Sequence, residues 1–179
     1  MLRVPYFERS DLATVQETAL HAEDLSFRHF GLTSTFTHNL AYEYRTLADL
    51  RNHEIIDHSF AQLVRYRLRP HKSSYHPSYN NLYSICLQDH RILDVVRNRE
   101  DGIQLKPLML YIMTHEIIHI IRFSAFHKNF DAISHVKEEE EKSVHTITYN
   151  ILRQSGDPGI SCVLDHYSPF RNPFANFMQ

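Results

Sequence analysis

The sequence predicts an α+β fold, mainly helical, with a short β-hairpin or small sheet ahead of its most apolar helix. Three observations carry this. Glu8–Phe30 and Asn39–Arg69 contain neither Gly nor Pro, and breaker-free stretches of that length read as helix. Pro107–Phe123 is a third such run, 17 residues long, mostly apolar and suited to a buried helix. Between them, Leu82–Leu87 (LYSICL) and Arg91–Val96 (RILDVV) are rich in β-branched and aromatic residues and suit a hairpin. Only 4 glycines and no tryptophan argue against a strand-rich fold with many tight turns.

Each element has its boundary signals. Gly31 follows the first helix, where a left-handed cap is expected. The stretch 39–69 is long enough for one long helix or two shorter ones and ends at Pro70, so residues 1–69 are expected to form a helical N-terminal part. Pro70–Asn81 is polar and rich in turn formers, and Gly102 closes a further turn. Pro107 suits a first helical position. Asp131–Arg153 reads as another helix, closed by Gly156-Asp157-Pro158-Gly159. Residues 160–179 form an aromatic C-terminal tail with Phe170, Phe174 and Phe177, expected to pack across the body or a partner. Neither a repeat nor a domain boundary is visible, so 1–179 is expected to be one domain, with 82–153 as its chemical core.

Composition excludes several functions. Hydrophobic residues at 42% and charged residues at 22% fit a folded chain. A formal charge of −2 lacks the basic footprint of a nucleic-acid binder. Cys86 and Cys162 are too few for a disulfide framework or a four-thiolate zinc site, and a reducing compartment suits them. No apolar run reaches the roughly 18 residues of a membrane span, and the first dozen residues lack the apolar core of a secretion signal. A cytoplasmic protein with no membrane or nucleic-acid partner is therefore expected. Its oligomeric state is not legible. The outlying figure is 14 histidines, a large supply of metal ligands.

Two of them sit in His115-Glu116-Ile117-Ile118-His119. On a helix, residues four apart project within about 40° of each other, so His115 and His119 can hold one zinc ion. Glu116 lies about 100° from His115, beside the metal position. There it can take a proton from a water whose pKa zinc lowers to roughly 7. The similar string His53-Glu54-Ile55-Ile56-Asp57-His58 has one residue too many. Its histidines would stand about 140° apart on a helix, which suits a solvated or partly packed face better than a shared ion.

HEIIH matches the HExxH signature of zincin metallopeptidases. Arg122 stands where the extended form of that motif carries a Gly, and His127 is displaced from its third-ligand spacing. The stretch from Pro107 to Leu152 therefore resembles a small gluzincin, in which a Glu on the next helix supplies the third ligand. That resemblance implies a zincin-like domain, a Zn2+ cofactor and a peptide or protein substrate. It also implies that LYSICL is an edge strand able to pair with an extended substrate backbone.

Glu138–Glu141 lie 19 to 22 positions after His119. The histidines centre roughly 9 Å from the end of their helix and the acidic cluster begins roughly 10 Å into the next, so an antiparallel pair would bring them level. Two arguments choose different glutamates. The apolar stripe Ile133, Val136, Val144, Ile147 and Ile151 centres on Glu140. The gluzincin pattern, with a polar residue four positions after the ligand, matches Glu141 with His145, although His145 replaces the usual Asp. His145 is then a partner of the first ligands or a ligand itself. Arg122 could anchor a carboxylate or pair with the acidic helix. Tyr149, His145, His166 and Tyr167 are candidates to stabilise an oxyanion.

The expected function is that of a zinc-dependent hydrolase, a gluzincin-like metallopeptidase. His115, His119 and Glu141 (alternatively Glu140) would bind the metal, and Glu116 would be the catalytic base. The alternatives are a non-catalytic metal-stabilised interaction protein and a helical di-iron protein. The latter needs a second Glu-x-x-His besides Glu116-x-x-His119, and none is present.

Overall fold

The computed structural model describes residues 5–38, 40–67, 81–98, 102–125 and 134–167. Asn39, the polar stretch 68–80, residues 131–133 and the tail aromatics Phe170, Phe174 and Phe177 lie outside the described residues. The architecture is α+β and mainly helical, with one small sheet. No described helix is long and apolar enough to cross a membrane.

Helix α1 (Arg9–Phe30) opens where the Asp11 carboxylate accepts the Glu8 N–H at 2.9 Å. It closes at Gly31, whose φ of 59° a residue without Cβ adopts readily. Its buried residues are Val15, Thr18, Ala19, Ala22 and Ser26, small side chains at three- and four-residue intervals. They let α1 pack along α4 (Leu105–Ala125), which is buried along most of its length. A helix apolar all round belongs inside a core. Pro107 is the third residue of α4 and not the first, still within the turn where its missing N–H costs little.

The helical expectation for 39–69 is corrected. After the short α2 (Ser34–His38) the chain extends into β1 (Tyr42–Arg45), passes two 3-10 turns at Leu47–Asp49 and Asn52–Glu54, and enters β2 (Ala61–Arg67). Helix propensity is a weak prior, and here pairing with β3 (Asn81–Leu87) overrides it. The sheet order is β1-β3-β2. β1 runs parallel to β3 from Tyr42↔Tyr83 to Arg45↔Cys86, and β2 runs antiparallel to it from Ala61↔Leu87 to Arg67↔Asn81. LYSICL is thus a strand as expected, but it is the central one. With both edges paired it cannot take up a substrate backbone.

The second half of the expected hairpin is also corrected. Arg91–Val96 lies in helix α3 (Asp89–Asn98), started by the Gln88 carbonyl, which accepts the Arg91 and Ile92 N–H groups at 2.9 and 3.1 Å. Ile92 and Leu93 are buried and Val95 and Val96 partly so, which is one face of a helix.

The reading of His53–His58 as a solvated or partly packed helix face is corrected as to the helix, since only a 3-10 turn at Asn52–Glu54 is formed, while Glu54 is packed and His53, Asp57 and His58 are exposed. The Glu54 side chain is fully buried, and it accepts from Arg45 at 2.5 and 3.1 Å, from the Arg51 N–H at 2.7 Å and from the Tyr66 hydroxyl. Burial alone would raise its pKa, but these donors outweigh it and hold the carboxyl at about 2. The pair ties β1, β2 and the preceding turn into one unit.

Helix α5 (Ser134–Leu152) lies antiparallel to α4, since Tyr111 meets His145 at one end and Arg122 meets Glu140 at the other. A turn through Gly156–Gly159 leads to α6 (Ile160–Tyr167), so the first part of the expected tail is a helix that buries Ile160, Val163 and Leu164.

Candidate metal centre

Helix α4 presents His115 and His119 to α5 because four residues make slightly more than one turn. Their Nε2 atoms lie 3.2 Å apart. From α5, the Glu141 carboxylate reaches both: Oε1 is 3.2 Å from His119 Nε2 and Oε2 is 3.4 Å from His115 Nε2. His145, one turn further along α5, brings a nitrogen within 4.8 Å of the ligand atoms of His115 and Glu141. The four side chains thus converge across the α4–α5 seam.

These distances fit a single cation. Ligand atoms about 2.05 Å from a tetrahedral zinc stand about 3.3 Å from one another, close to the three separations here, in which each carboxylate oxygen faces one of the two histidines. The donor chemistry also fits, with two imidazoles and a carboxylate on a borderline-soft dication. Nδ1 of His115 and of His119 is buried without a hydrogen-bond partner among the described residues. The carboxylate or carbonyl that commonly orients a metal-bound histidine from behind is therefore not seen among them.

Electrostatics follow from the crowding of these groups in the seam, where the histidines are mostly buried and Glu141 is half-buried. Burial alone would raise the Glu141 carboxyl, but the hydrogen bonds with His115 and His119 outweigh it and hold it far below the usual range. Burial would lower His119, and its bond to Glu141 reverses the direction. His145 is pushed down to about 3, first by burial and then by the neighbouring His115, so it is neutral near pH 7. Glu116 is raised by burial, while His115 and His119 draw it down and Glu141 adds to the rise. It therefore sits within the field of the same cluster.

Glu140 faces a different partner. Its two oxygens accept from Arg122 Nε and Nη2 at 2.5 and 2.8 Å. The apolar stripe that favoured it is less continuous than the sequence suggested, since Val136 is exposed while Val144 and Ile151 are buried.

Tyr111 is the residue that sequence reasoning missed. It stands one turn before His115, with its hydroxyl 2.8 Å from His145 Nδ1 and its ring stacked against those of His115 and His145. Its helical spacing from His115 was the available signal, hidden inside the apolar run PLMLYIM. Tyr167 packs on Tyr111 at 5.8 Å between ring centres, and Phe123 stacks on His119 at 5.6 Å. Of the other oxyanion candidates, Tyr149 lies against the Arg153 guanidinium and His166 against Tyr167.

Compared with models of known families, with curated proteins and with solved structures, the chain gives no significant match.

Proposed function

We propose that this chain is a zinc-dependent hydrolase, a metallopeptidase in which His115, His119 and Glu141 hold the metal and Glu116 is the general base. The observation that carries the reading is the convergence of His115, His119 and Glu141, with nitrogen–nitrogen and nitrogen–oxygen separations of 3.2 to 3.4 Å. The HExxH resemblance supplies the reaction class. A zinc ion held there lowers the pKa of water and polarises a carbonyl oxygen. Glu116, next in sequence to a ligand and raised by burial, takes the proton from the attacking water and returns it to the leaving amine. His145, held at Nδ1 by Tyr111, has Nε2 left to donate to the developing oxyanion. Cys86 and Cys162 are not joined in a disulfide, which suits a cytoplasmic setting.

A second reading has its own observation. If His145 acts as a fourth ligand, the position for water closes and the centre is structural, as in tetrahedral sites with four protein ligands. Elemental analysis of purified, untagged protein beside H115A tests the metal, with one zinc per wild-type chain expected and none in the variant. A peptide-library digest by wild type and E116Q then separates the readings. Cleavage by the wild type alone supports the hydrolase, whereas zinc-loaded wild type without cleavage favours the structural centre.

A further inference from the structure

Outside the metal centre, the most constrained charged contact on the α4–α5 seam is the Arg122–Glu140 pair. Both side chains are mostly buried, at 15% and 12% exposure, and the guanidinium makes two bonds to the carboxylate. Its placement relative to the metal centre is specific. Arg122 follows His119 by one turn of α4, and Glu140 directly precedes Glu141 on α5.

Adjacent helical residues project about 100° apart, so Glu140 and Glu141 cannot both face one point. Holding one at Arg122 fixes where the other points. The problem this solves is peculiar to the chain. Four consecutive glutamates, Glu138 to Glu141, stand within about one turn of α5 near the same pair of histidines, and a change in how α5 is rotated and seated against α4 would bring a different carboxylate to them. Glu138 and Glu139 are exposed. A planar guanidinium gripping both oxygens of Glu140 sets position and orientation together, which a point charge does not.

We infer that Arg122 is a positioning residue that selects Glu141 as the third metal ligand by holding Glu140 away from the histidine pair. This rests on the zinc-site reading above. Arg122 acts through the register of α5 and touches neither metal nor substrate.

The test measures zinc affinity by chelator competition on the full chain for wild type, R122M, R122K and the charge-swapped R122E/E140R. Melting of the metal-free proteins and the visible spectrum of the Co2+-loaded forms accompany it. Loss of an outer partner of a metal ligand typically costs about 10- to 100-fold in affinity. R122M is expected to weaken zinc binding about tenfold or more and to change the cobalt spectrum; the metal-free melting temperature also falls, because the mostly buried Glu140 loses its guanidinium partner, so the cobalt spectrum is the readout that a loss of stability alone would not move. R122K should fall between, and the swap should recover affinity to within about threefold. Wild-type affinity and an unchanged cobalt spectrum in R122M would overturn the inference, as would a swap no better than R122M. A wild-type chain that binds no zinc would remove the metal site itself and this inference with it. A zinc-binding wild type with an indifferent R122M removes the positioning role alone.

Discussion

The Tyr111 hydroxyl lies 2.8 Å from His145 Nδ1, joining the helix that carries HEIIH to the helix that carries Glu141. Burial raises the phenol's pKa, so it stays protonated at neutral pH and can donate to Nδ1. Nε2 of a neutral His145 then carries the proton. That tautomer suits a donor to an oxyanion and not a metal ligand. Y111F should therefore keep its zinc while kcat falls about 10- to 1000-fold, the range for loss of an oriented donor. Zinc content and steady-state rates measured on the same preparation check this. Loss of zinc in Y111F would instead make His145 a ligand.

Glu116 provides the sharpest separation of binding from chemistry. E116Q keeps the shape of the side chain and removes its ability to accept a proton. The expected outcome is unchanged zinc stoichiometry with turnover reduced by about 100-fold or more. Retained turnover in E116Q of verified purity would sink the assigned mechanism while leaving the metal site in place.

Metal and stability should be linked. A ligand that binds only the folded state at a hundredfold excess over its Kd stabilises by about 2.7 kcal/mol. For a chain of this size that shifts Tm by about 5 to 11 °C. Calorimetry should show the rise on adding zinc to metal-free protein, reversal by chelator, and no response in H115A. E141Q should give a smaller rise, because an amide oxygen is a weaker ligand than the carboxylate it replaces. A full response in E141Q would remove Glu141 from the ligand set.

The parts of this molecule that were legible in sequence are the ones governed by local geometry. HEIIH placed two imidazoles on one helix face, and antiparallel helices brought Glu140 and Glu141 to their level. Choosing between those two needed Arg122, whose partner depends on how the helices rotate against each other. The sheet was largely illegible. Tyr42–Arg45 holds no breaker, and its pairing partner at Tyr83–Cys86 lies some forty residues away. Whether Glu54 is solvated or packed was not legible, because nothing in HEIIDH marks Arg45 and Tyr66 as its partners. Tyr111 was legible in principle from its spacing to His115, yet an apolar run gives no reason to single out one aromatic.

The Glu54 network predicts a specific acid response. Its carboxyl sits at about 2 in the fold, below the ordinary Glu value of about 4.3 in the unfolded chain. A depressed folded pKa contributes stability that is fully present above the unfolded value and is lost as pH falls toward the folded one. A shift of this size corresponds to about 3 kcal/mol. E54Q removes the buried carboxylate from the mostly buried Arg45 and leaves it only the half-exposed Glu43 at 3.3 Å, so it should be less stable than wild type by about 2 to 4 kcal/mol at pH 6. Buried His145 also destabilises the fold in acid, but equally in both proteins, so the difference between them isolates Glu54. Urea unfolding from pH 6 downward should show the gap narrowing between about pH 5 and pH 2. A gap that stays constant across that window would mean Glu54 is not ionised against Arg45 in the folded protein.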